Sequence, residues 1–390
     1  MQHNKKKLVF VLPSWSPSAA DHMLHLLELL HFVRSTGALK IRLIVERGDP
    51  VPDLPADETA FLRLSGRNVR GAWRVLRALI AARLSGYRAI YAHYSFYAGL
   101  IGGGVARLSG GTLWYWNCAT VGDYMTGDNG QRPCLRERVS VEIPLRATLR
   151  LATALVTGTN SMARHYNQTF GVPLHRIHVM ANWVRLERFA LQSPEIREVL
   201  RRRLGVPEAS PLVLFVHRLA ARKGAELLVP IMDVVLRDVP RAHFWVVGDG
   251  PLKGQVEDDL RRHHLDRSVR MLGEVPNCDL PPYYHAADLL IMPSLEEGFP
   301  RVLLEAMASG LPFVATNVGG VAEIVTDIQR PCLVPPGEPL RFAERVVELL
   351  SKPDLRTLQR AEGLLRVEAF SLERAANTFL SIVADDTAAT

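Results

Sequence analysis

Short apolar runs rich in β-branched and aromatic residues alternate with longer segments of helical periodicity along the whole chain. In the first half the runs predict strands at residues 8–12, 41–45, 89–92, 112–116, 154–157 and 177–180. In the second half they predict strands at residues 212–216, 243–247, 269–272, 289–292, 313–315 and 332–334. The segments between them predict helices, among them 21–34, 72–84, 225–236 and 339–350. This alternation is typical of parallel sheets connected by crossover helices, and here it occurs twice.

The length of 390 residues is too great for one ordinary core, so we predict two α/β domains of Rossmann-like architecture. The first is predicted over 1–190 and the second over 207–366. A linker is placed at 191–206, where a Ser-Pro pair and three consecutive arginines precede Gly205 and Pro207. A terminal helix within 367–390 follows the last strand, and it could pack on either domain.

The composition, with 48% hydrophobic and 22% charged residues, is that of a globular protein. The basic start followed by an apolar run mimics a signal peptide. Because Pro13 ends the run and no small-residue cleavage site follows, we interpret it as a first strand and expect a cytoplasmic protein. The four cysteines are far apart and lack the spacing of zinc ligands, so free thiols are expected at Cys118, Cys134, Cys278 and Cys332.

Charge is unevenly distributed between the two halves. Residues 1–190 hold 24 Lys and Arg against 12 Asp and Glu, whereas the remainder holds 23 against 28. A basic half favours an anionic partner, and phosphate groups, a membrane surface and nucleic acid are all compatible with that balance. Nucleic acid is disfavoured, because neither aromatic–basic interleaving nor a known binding module is present.

A basic amphipathic segment over 70–84 bears on which of these anionic partners is bound. It places three arginines near one helical face, Arg70, Arg74 and Arg77, and four apolar residues near another, Trp73, Leu76, Ile80 and Leu84. This pattern favours peripheral binding at the anionic inner face of the cell membrane. The alternative is an ordinary surface helix with its apolar side in the core.

The segment 293–300 and the residues that follow it contain several candidate ligand-binding residues. It follows a predicted strand and leads into a helix, which is where α/β proteins bind phosphate and sugar groups. Gly298 would let the backbone approach a ligand. Glu297 and Glu305 could accept hydrogen bonds from sugar and ribose hydroxyls. The alternatives are a solvated loop carboxylate for Glu297 and a surface ion pair between Arg301 and Glu305.

Two further loops follow predicted strands in the second half. Arg218 and Lys223 could neutralise a diphosphate, although loop cations of this kind are often merely solvated. The run from Gly248 to Pro251 lacks the spacing of a dinucleotide fingerprint, since residue 253 is Lys, so a tight turn is the better interpretation.

The ordered series of these motifs resembles the family-4 (group 1) retaining glycosyltransferases of GT-B fold. The series comprises Arg218-x4-Lys223-Gly224, Gly248-Asp-Gly250-Pro251, Ala287-Asp288, Pro293-Ser294, Glu297-Gly298-Phe299, Glu305-Ala306-Met307-Ala308, Gly310-Leu311-Pro312 and Val318-Gly319-Gly320. The resemblance is strong over about 205–365 and looser over 1–200. It implies two Rossmann-like domains facing across a cleft, with the nucleotide-sugar donor bound by the second.

The resemblance also implies a role for each matching residue. Arg218 and Lys223 match the pair that contacts the diphosphate and its developing charge, and Glu305 matches the acid that binds the ribose hydroxyls. Glu297, with the backbone of Gly298 and Phe299, matches the group that holds the transferred sugar. Pro300 and Gly248 are included as donor-binding positions. The chain has no Asp-x-Asp motif, so a metal-independent reaction is expected.

The chain departs from the family pattern at three places. Pro300 replaces the glycine of many members, which removes one backbone N–H. A histidine is expected after the strand 112–116, where this chain has Asn117, which cannot act as an acid or base. His93, after the preceding strand, is the alternative catalytic candidate, and a structural role is its competing interpretation. The glycine-rich first loop of the family is also absent.

The sequence thus predicts a retaining hexosyltransferase with no cofactor. It would move a sugar from a nucleoside diphosphate sugar, UDP favoured, to a hydroxyl of a cell-envelope glycan or lipid-linked precursor. The departure at Asn117 keeps a second hypothesis open, a non-catalytic relative that binds nucleotide-sugar. A third, a nucleotide-sugar epimerase, would act on the donor without an acceptor.

Overall fold

The computed structural model describes residues 5–15, 20–50, 53–65, 68–118, 135–207 and 209–384. The chain divides into two units. Of the described residues, unit 1 comprises those within 5–118, 135–181 and 372–384, and unit 2 comprises those within 182–371.

Unit 1 is built on a seven-stranded sheet in the order β3-β2-β1-β4-β5-β6-β7, with every neighbouring pair parallel. The strands are β1 (Lys6–Leu12), β2 (Leu39–Val45), β3 (Glu58–Phe61), β4 (Ala89–His93), β5 (Thr112–Trp116), β6 (Ala154–Thr157) and β7 (Ile177–Val179). The central strand β4 is buried along its whole length and its neighbour β5 at all but its first residue, as expected for a parallel sheet covered on both faces.

The helices of unit 1 are α1 (Ala20–Ser35), α2 (Val69–Leu84), α3 (Phe96–Ser109), α4 (Leu135–Leu151), α5 (Asn160–Phe170) and α15 (Leu372–Ala384). Three of them begin at a polar residue whose side chain accepts a hydrogen bond from the first turn: Asn68 for α2, Ser95 for α3 and Thr159 for α5. The terminal helix α15 packs against α1, so of the two positions left open by the sequence it takes the one in unit 1.

Unit 2 holds a six-stranded parallel sheet in the order β10-β9-β8-β11-β12-β13. Its strands are β8 (Leu212–Val216), β9 (His243–Val247), β10 (Val269–Gly273), β11 (Leu289–Met292), β12 (Phe313–Thr316) and β13 (Leu333–Val334). Its helices are α6 (Leu186–Phe189), α7 (Pro194–Arg203), α8 (Leu228–Asp238), α9 (Lys253–Arg262), α10 (Pro281–Ala286), α11 (Arg301–Ala308), α12 (Val321–Ile324), α13 (Pro339–Ser351) and α14 (Pro353–Val367).

All twelve predicted strands are present, and one observed strand was not predicted. β3 is four residues long at the edge of the sheet, and none of its residues is fully buried. Its sequence therefore lacks the apolar run on which strand prediction depends. The predicted helix 225–236 begins with a single 3₁₀ turn, Ala225–Leu227, before α8.

The structural units have other boundaries than the predicted domains 1–190 and 207–366. Unit 2 already starts at Asn182 and runs to Ser371. The predicted linker contains helix α7, whose Arg197 and Arg201 both pair with Asp288 at the start of β11. Its arginines are therefore structural parts of unit 2.

No helix of the described residues is long and apolar enough to cross a membrane.

Candidate functional site

The order of strands in unit 2 reverses between β8 and β11, since connections lead outward from this pair in opposite directions. Loops at the carboxyl ends of such a pair leave a crevice, which is where open α/β sheets bind ligands. The loops concerned are 217–224 after β8 and 293–300 after β11. They carry Arg218, Lys223 and Glu297, three of the four predicted catalytic residues.

Glycines let these loops pack directly on one another. Gly319, in the loop after β12, has φ +54°, and a Cβ atom there would lie 1.6 Å from the carbonyl oxygen of Glu297. At Gly224 (φ +71°) a Cβ atom would lie 2.0 Å from the carbonyl oxygen of Pro293. The N–H of Gly320 also donates to the carbonyl of Gly298 at 2.9 Å. The glycines named in the sequence motifs thus hold the backbone that carries Glu297.

We expect Gly319→Ala to lower the free energy of unfolding by about 2 kcal/mol. The alanine would have to adopt a left-handed backbone conformation, and its Cβ atom would also clash with the carbonyl oxygen of Glu297. Thermal unfolding of the purified variant measures this. Gly254→Ala is the matched control, since a Cβ atom at Gly254 meets nothing within 4 Å. Equal melting temperatures for the two variants would show that the loop contact does not constrain the backbone.

The side chain of Glu297 is 5% exposed and has three hydrogen-bonding or ionic partners. Its Oε1 lies 2.8 Å from Lys223 Nζ, 2.8 Å from Ser294 Oγ and 3.1 Å from His217 Nε2. Burial alone would raise the pKa of Glu297, but the charge of Lys223 and the hydrogen bond from His217 outweigh it and lower the pKa to about 2. The carboxylate is therefore ionised at physiological pH, and its low exposure and three partners exclude the interpretation as a solvated loop charge.

His217 directly precedes Arg218, and no role was predicted for it from the sequence. Its Nδ1 accepts the backbone N–H of Arg218 at 2.8 Å, so we assign the proton to Nε2, which then donates to Glu297. Burial, with the charge of Lys223, lowers the pKa of His217 even though Glu297 acts in the opposite direction. The imidazole is thus a neutral support for Glu297, and its position before Arg218 at a strand end was the available sequence signal.

Arg218 and Lys223 occupy different environments. Lys223 is 5% exposed and forms the ion pair with Glu297, whereas the Arg218 side chain is exposed. Arg218 also lies near the loop after β9, where Lys253 first and Arg218 to a lesser extent lower the pKa of Asp249. The structure therefore places Lys223 in contact with Glu297, the predicted sugar-binding carboxylate, whereas the side chain of Arg218 is exposed to solvent.

Glu305, in the second turn of α11, is 2% exposed. Asn277 Nδ2 donates to its Oε1 at 3.0 Å, and the Tyr284 hydroxyl donates to its Oε2 at 2.8 Å. Arg301 lies 3.7 Å from Oε1. The interpretation as a surface ion pair is wrong because the carboxylate is buried, and each of its oxygens still has a lone pair for a further donor.

The backbone between Glu297 and α11 contains N–H groups that can donate hydrogen bonds to a ligand. Among the described residues, the N–H groups of Glu297, Gly298 and Phe299 form no hydrogen bond. The Phe299 carbonyl accepts from Asn182 Nδ2 at 2.8 Å, and its ring packs edge-on against Phe370. Pro300 directly precedes α11 as its N-cap residue. Three consecutive N–H groups thus lie close to the helix N-terminus.

Gly248 forms part of the tight turn that the sequence favoured. Its φ is +133°, its N–H donates to the Gly273 carbonyl at 2.7 Å, and a Cβ atom would lie 2.0 Å from the His217 carbonyl oxygen. The residue thus holds the loop after β9 against the loop after β8. Its donor-binding role remains a prediction.

His93 and Asn117 follow neighbouring strands of unit 1 and are both buried. The His93 ring stacks on Trp116 with centroids 4.3 Å apart and meets Tyr94 edge-on. Burial lowers the pKa of His93 to about 3, so the ring is neutral near pH 7 and is suited to hydrogen bonding, not to acid–base chemistry. Asn117 is 0% exposed, and its N–H donates to the Val156 carbonyl at 2.9 Å.

No group of three or more His, Cys, Asp or Glu with metal-binding geometry occurs within the residues that the structure covers. Three cysteines in that part of the chain form no disulfide: Cys118 and Cys332 are buried, and Cys278 is exposed. Cys134 lies outside the described residues.

The family model described as "Glycosyl transferases group 1" matches residues 210–352, the segment that holds Arg218, Lys223, Glu297 and Glu305. Over this segment the chain matches the group 1 glycosyltransferase family, and the curated relatives that match the chain are glycosyltransferases. The fold is the α/β two-domain GT-B fold found in the structural neighbours of the chain.

One relative is the D-inositol 3-phosphate glycosyltransferase of Xylanimonas cellulosilytica. It is 32% identical over 241 residues, which cover 60% of this chain and 57% of the relative. The chain thus spans little more than half the length of the curated relatives it matches.

Two solved structures share the fold over almost the whole chain. Sucrose-phosphate synthase from Thermosynechococcus elongatus superimposes with a TM-score of 0.82 at 22% identity, covering 99% of this chain and 100% of that one. HepE of Anabaena, solved in complex with UDP and glucose, has a TM-score of 0.78 at 19% identity and covers 97% and 99%.

Proposed function

We propose that the chain transfers a hexosyl group from a nucleoside diphosphate sugar to a hydroxyl of a cell-envelope glycan or lipid-linked precursor, with retention of configuration and without a metal. The observation that carries this proposal is the ionised, buried Glu297 held by Lys223 at the strand-order reversal of unit 2, with the exposed Arg218 on the same loop as Lys223. Fixed cations beside a fixed carboxylate suit a donor that has both a diphosphate and a polar sugar.

The diphosphate gains negative charge as the bond to the sugar breaks. Arg218 can grip two phosphate oxygens, and the Lys223 ammonium supplies a second fixed charge. The N–H groups of Gly298 and Phe299 add neutral donors near the start of α11. These groups stabilise the leaving group in the way that a metal ion does in other transferases. Retention is supported by the family resemblance.

Glu297 and Glu305 serve the two hydroxyl-bearing parts of the donor. Glu297 is anchored by Lys223, His217 and Ser294, so its remaining lone pairs have a fixed direction toward the sugar. Glu305 is held by Asn277 and Tyr284, and it binds the ribose hydroxyls. UDP is the favoured nucleotide, and the Anabaena protein of the same fold was solved with UDP and glucose.

Thermal-shift titration with UDP, GDP, ADP and their sugars tests this assignment. One diphosphate is expected to raise the melting temperature of the wild type, and Glu305→Gln is expected to weaken its binding about tenfold, because ribose loses a charge-assisted hydrogen bond. Glu226→Gln removes an exposed carboxylate from the same unit and serves as the control. Equal affinities in both variants would remove Glu305 from the site, and the absence of any shift would contradict the donor site as a whole.

A second candidate is a non-catalytic protein that binds the nucleotide-sugar. It is favoured by the buried Asn117 at the expected histidine position and by the neutral state of His93. Donor hydrolysis and transfer to sugar acceptors distinguish the two candidates, since either activity in the purified chain excludes the non-catalytic one.

A further inference from the structure

Three consecutive helices of unit 1 form a layer, with α2 packed on α3 and α3 packed on α4. Each buries one face, with Val75 and Leu79 in α2 and Val141 and Leu145 in α4. Helix α3 lies especially close to its neighbours, because a Cβ atom at Gly103 would be 2.6 Å from Leu151 Cβ. The opposite faces of the three helices therefore form the outer side of the layer.

That outer side exposes large apolar residues on every one of the three helices. In α2 they recur about once per turn, and Trp73 and Leu84 are 60% and 84% exposed. In α3 Leu108 is 92% exposed. The full set, which we call the outer stripe, is Val69, Trp73, Ile80, Leu84, Leu100, Leu108, Val139 and Ile143. The alternative in which the apolar side of α2 lies wholly in the core is wrong, because the helix has a buried and an exposed apolar face.

The charges that flank the outer stripe are predominantly positive. Neither α2 nor α3 contains an acidic residue. Five exposed arginines accompany the stripe, Arg70, Arg74, Arg77, Arg107 and Arg150. Arg74 donates to the backbone carbonyls of Leu62 and Arg63, which carry no net charge. The one described carboxylate of α4, Glu142, pairs with Arg146.

We propose that the outer stripe of α2, α3 and α4 docks on an anionic lipid membrane, with Trp73 at the interface and the arginines against the lipid head groups. Apolar side chains ringed by arginines fit a bilayer surface, where the apolar groups leave water and the cations meet phosphate. A second copy of the same chain would bring like charges together, which disfavours self-association through this face. The inference concerns unit 1 alone and does not depend on the proposed sugar transfer.

Trp73 offers a direct readout of docking. The chain has six tryptophans, and the other five, Trp15, Trp114, Trp116, Trp183 and Trp245, are all buried. Tryptophan emission of the full chain is recorded with vesicles of phosphatidylcholine alone and with vesicles that also contain phosphatidylglycerol, using brominated acyl chains as quenchers. Quenching is expected only with the anionic vesicles, is expected to weaken at high salt, and is expected to disappear in Trp73→Phe.

Flotation of the same vesicles measures the contribution of charge. Arg70→Gln/Arg74→Gln/Arg77→Gln is expected to lower vesicle binding about a hundredfold, since each basic residue near an anionic surface contributes roughly a factor of five. The matched control, Arg202→Gln/Arg203→Gln/Arg267→Gln, removes three exposed arginines from unit 2 and is expected to bind as the wild type does. Circular dichroism and thermal unfolding show that each variant is folded.

Three results would overturn the proposal. They are equal binding by the two triple variants, the absence of binding to anionic vesicles, and a Trp73 emission shift that depends on protein concentration without lipid. The last result would assign the stripe to a second copy of the chain. Vesicle binding needs no donor or acceptor, so these outcomes are independent of the enzymatic test.

Discussion

Lys223→Met is expected to lower the free energy of unfolding by about 3 kcal/mol, because it leaves the buried carboxylate of Glu297 without its cation. For a unit of this size the melting temperature should fall by roughly 6–12 °C. Sugar transfer should also be lost, since the same ammonium is assigned to the diphosphate. Thermal unfolding followed by circular dichroism and a transfer assay measure the two effects separately.

The double variant Lys223→Met/Glu297→Gln is the control for this prediction. It removes both charges, so it should recover much of the lost stability while transfer remains absent. The folded-state pKa of Glu297, about 2, lies below its ordinary value of 4.5. The stabilisation is thus fully present above about pH 4.5 and is lost as the pH falls toward 2. A double variant as unstable as the single one would contradict the pairing.

Arg218→Ala is expected to lower kcat/KM for sugar transfer by about 10² to 10³, because a donor aimed at developing negative charge is lost. Its side chain is exposed, so the melting temperature should stay within the small range typical of surface substitutions. Arg218→Lys should give an intermediate rate, since an ammonium cannot bind two phosphate oxygens side by side.

Arg237→Ala provides the comparison for Arg218→Ala. Arg237 is an exposed arginine of α8, and its substitution removes the same charge from unit 2 at a position outside the candidate site. Full transfer activity in Arg218→Ala would remove this residue from the reaction. A large fall in both variants would show that the effect comes from the net charge of the unit and not from a contact with the diphosphate.

The strands could be located from the sequence because each central strand of a parallel sheet is buried on both faces and appears as a continuous apolar run. The same criterion missed β3, whose residues Glu58 and Thr59 are partly or fully exposed at the sheet edge. It also misplaced α7, because a run of arginines is typical of a solvated linker. Whether Arg197 and Arg201 meet solvent or Asp288 depends on tertiary packing, which local sequence does not contain.

The candidate site, like the fold, could be predicted from the sequence only in part. The motif order was sufficient to select Arg218, Lys223, Glu297 and Glu305, since each occupies a fixed place after a strand or in a helix. The Lys223–Glu297 pair was not predictable, because its members lie on separate loops and meet only through the packing of those loops. Likewise, the neutral state of His93 follows from its burial against Trp116. The spacing of residues along the sequence could not indicate that state.

The two points where the chain passes between the units lie side by side in unit 2. The N–H of Val184 donates to the Phe370 carbonyl at 3.0 Å, and Val184 forms a parallel bridge with Ser371. The segment 182–371 thus resembles a domain inserted into a host at one place, with its ends already joined by hydrogen bonds. Segments of this kind tolerate excision and circular permutation well. Residues 182–371 can therefore be produced as one uninterrupted polypeptide, whereas the described parts of unit 1 require a designed splice between Ala181 and Leu372.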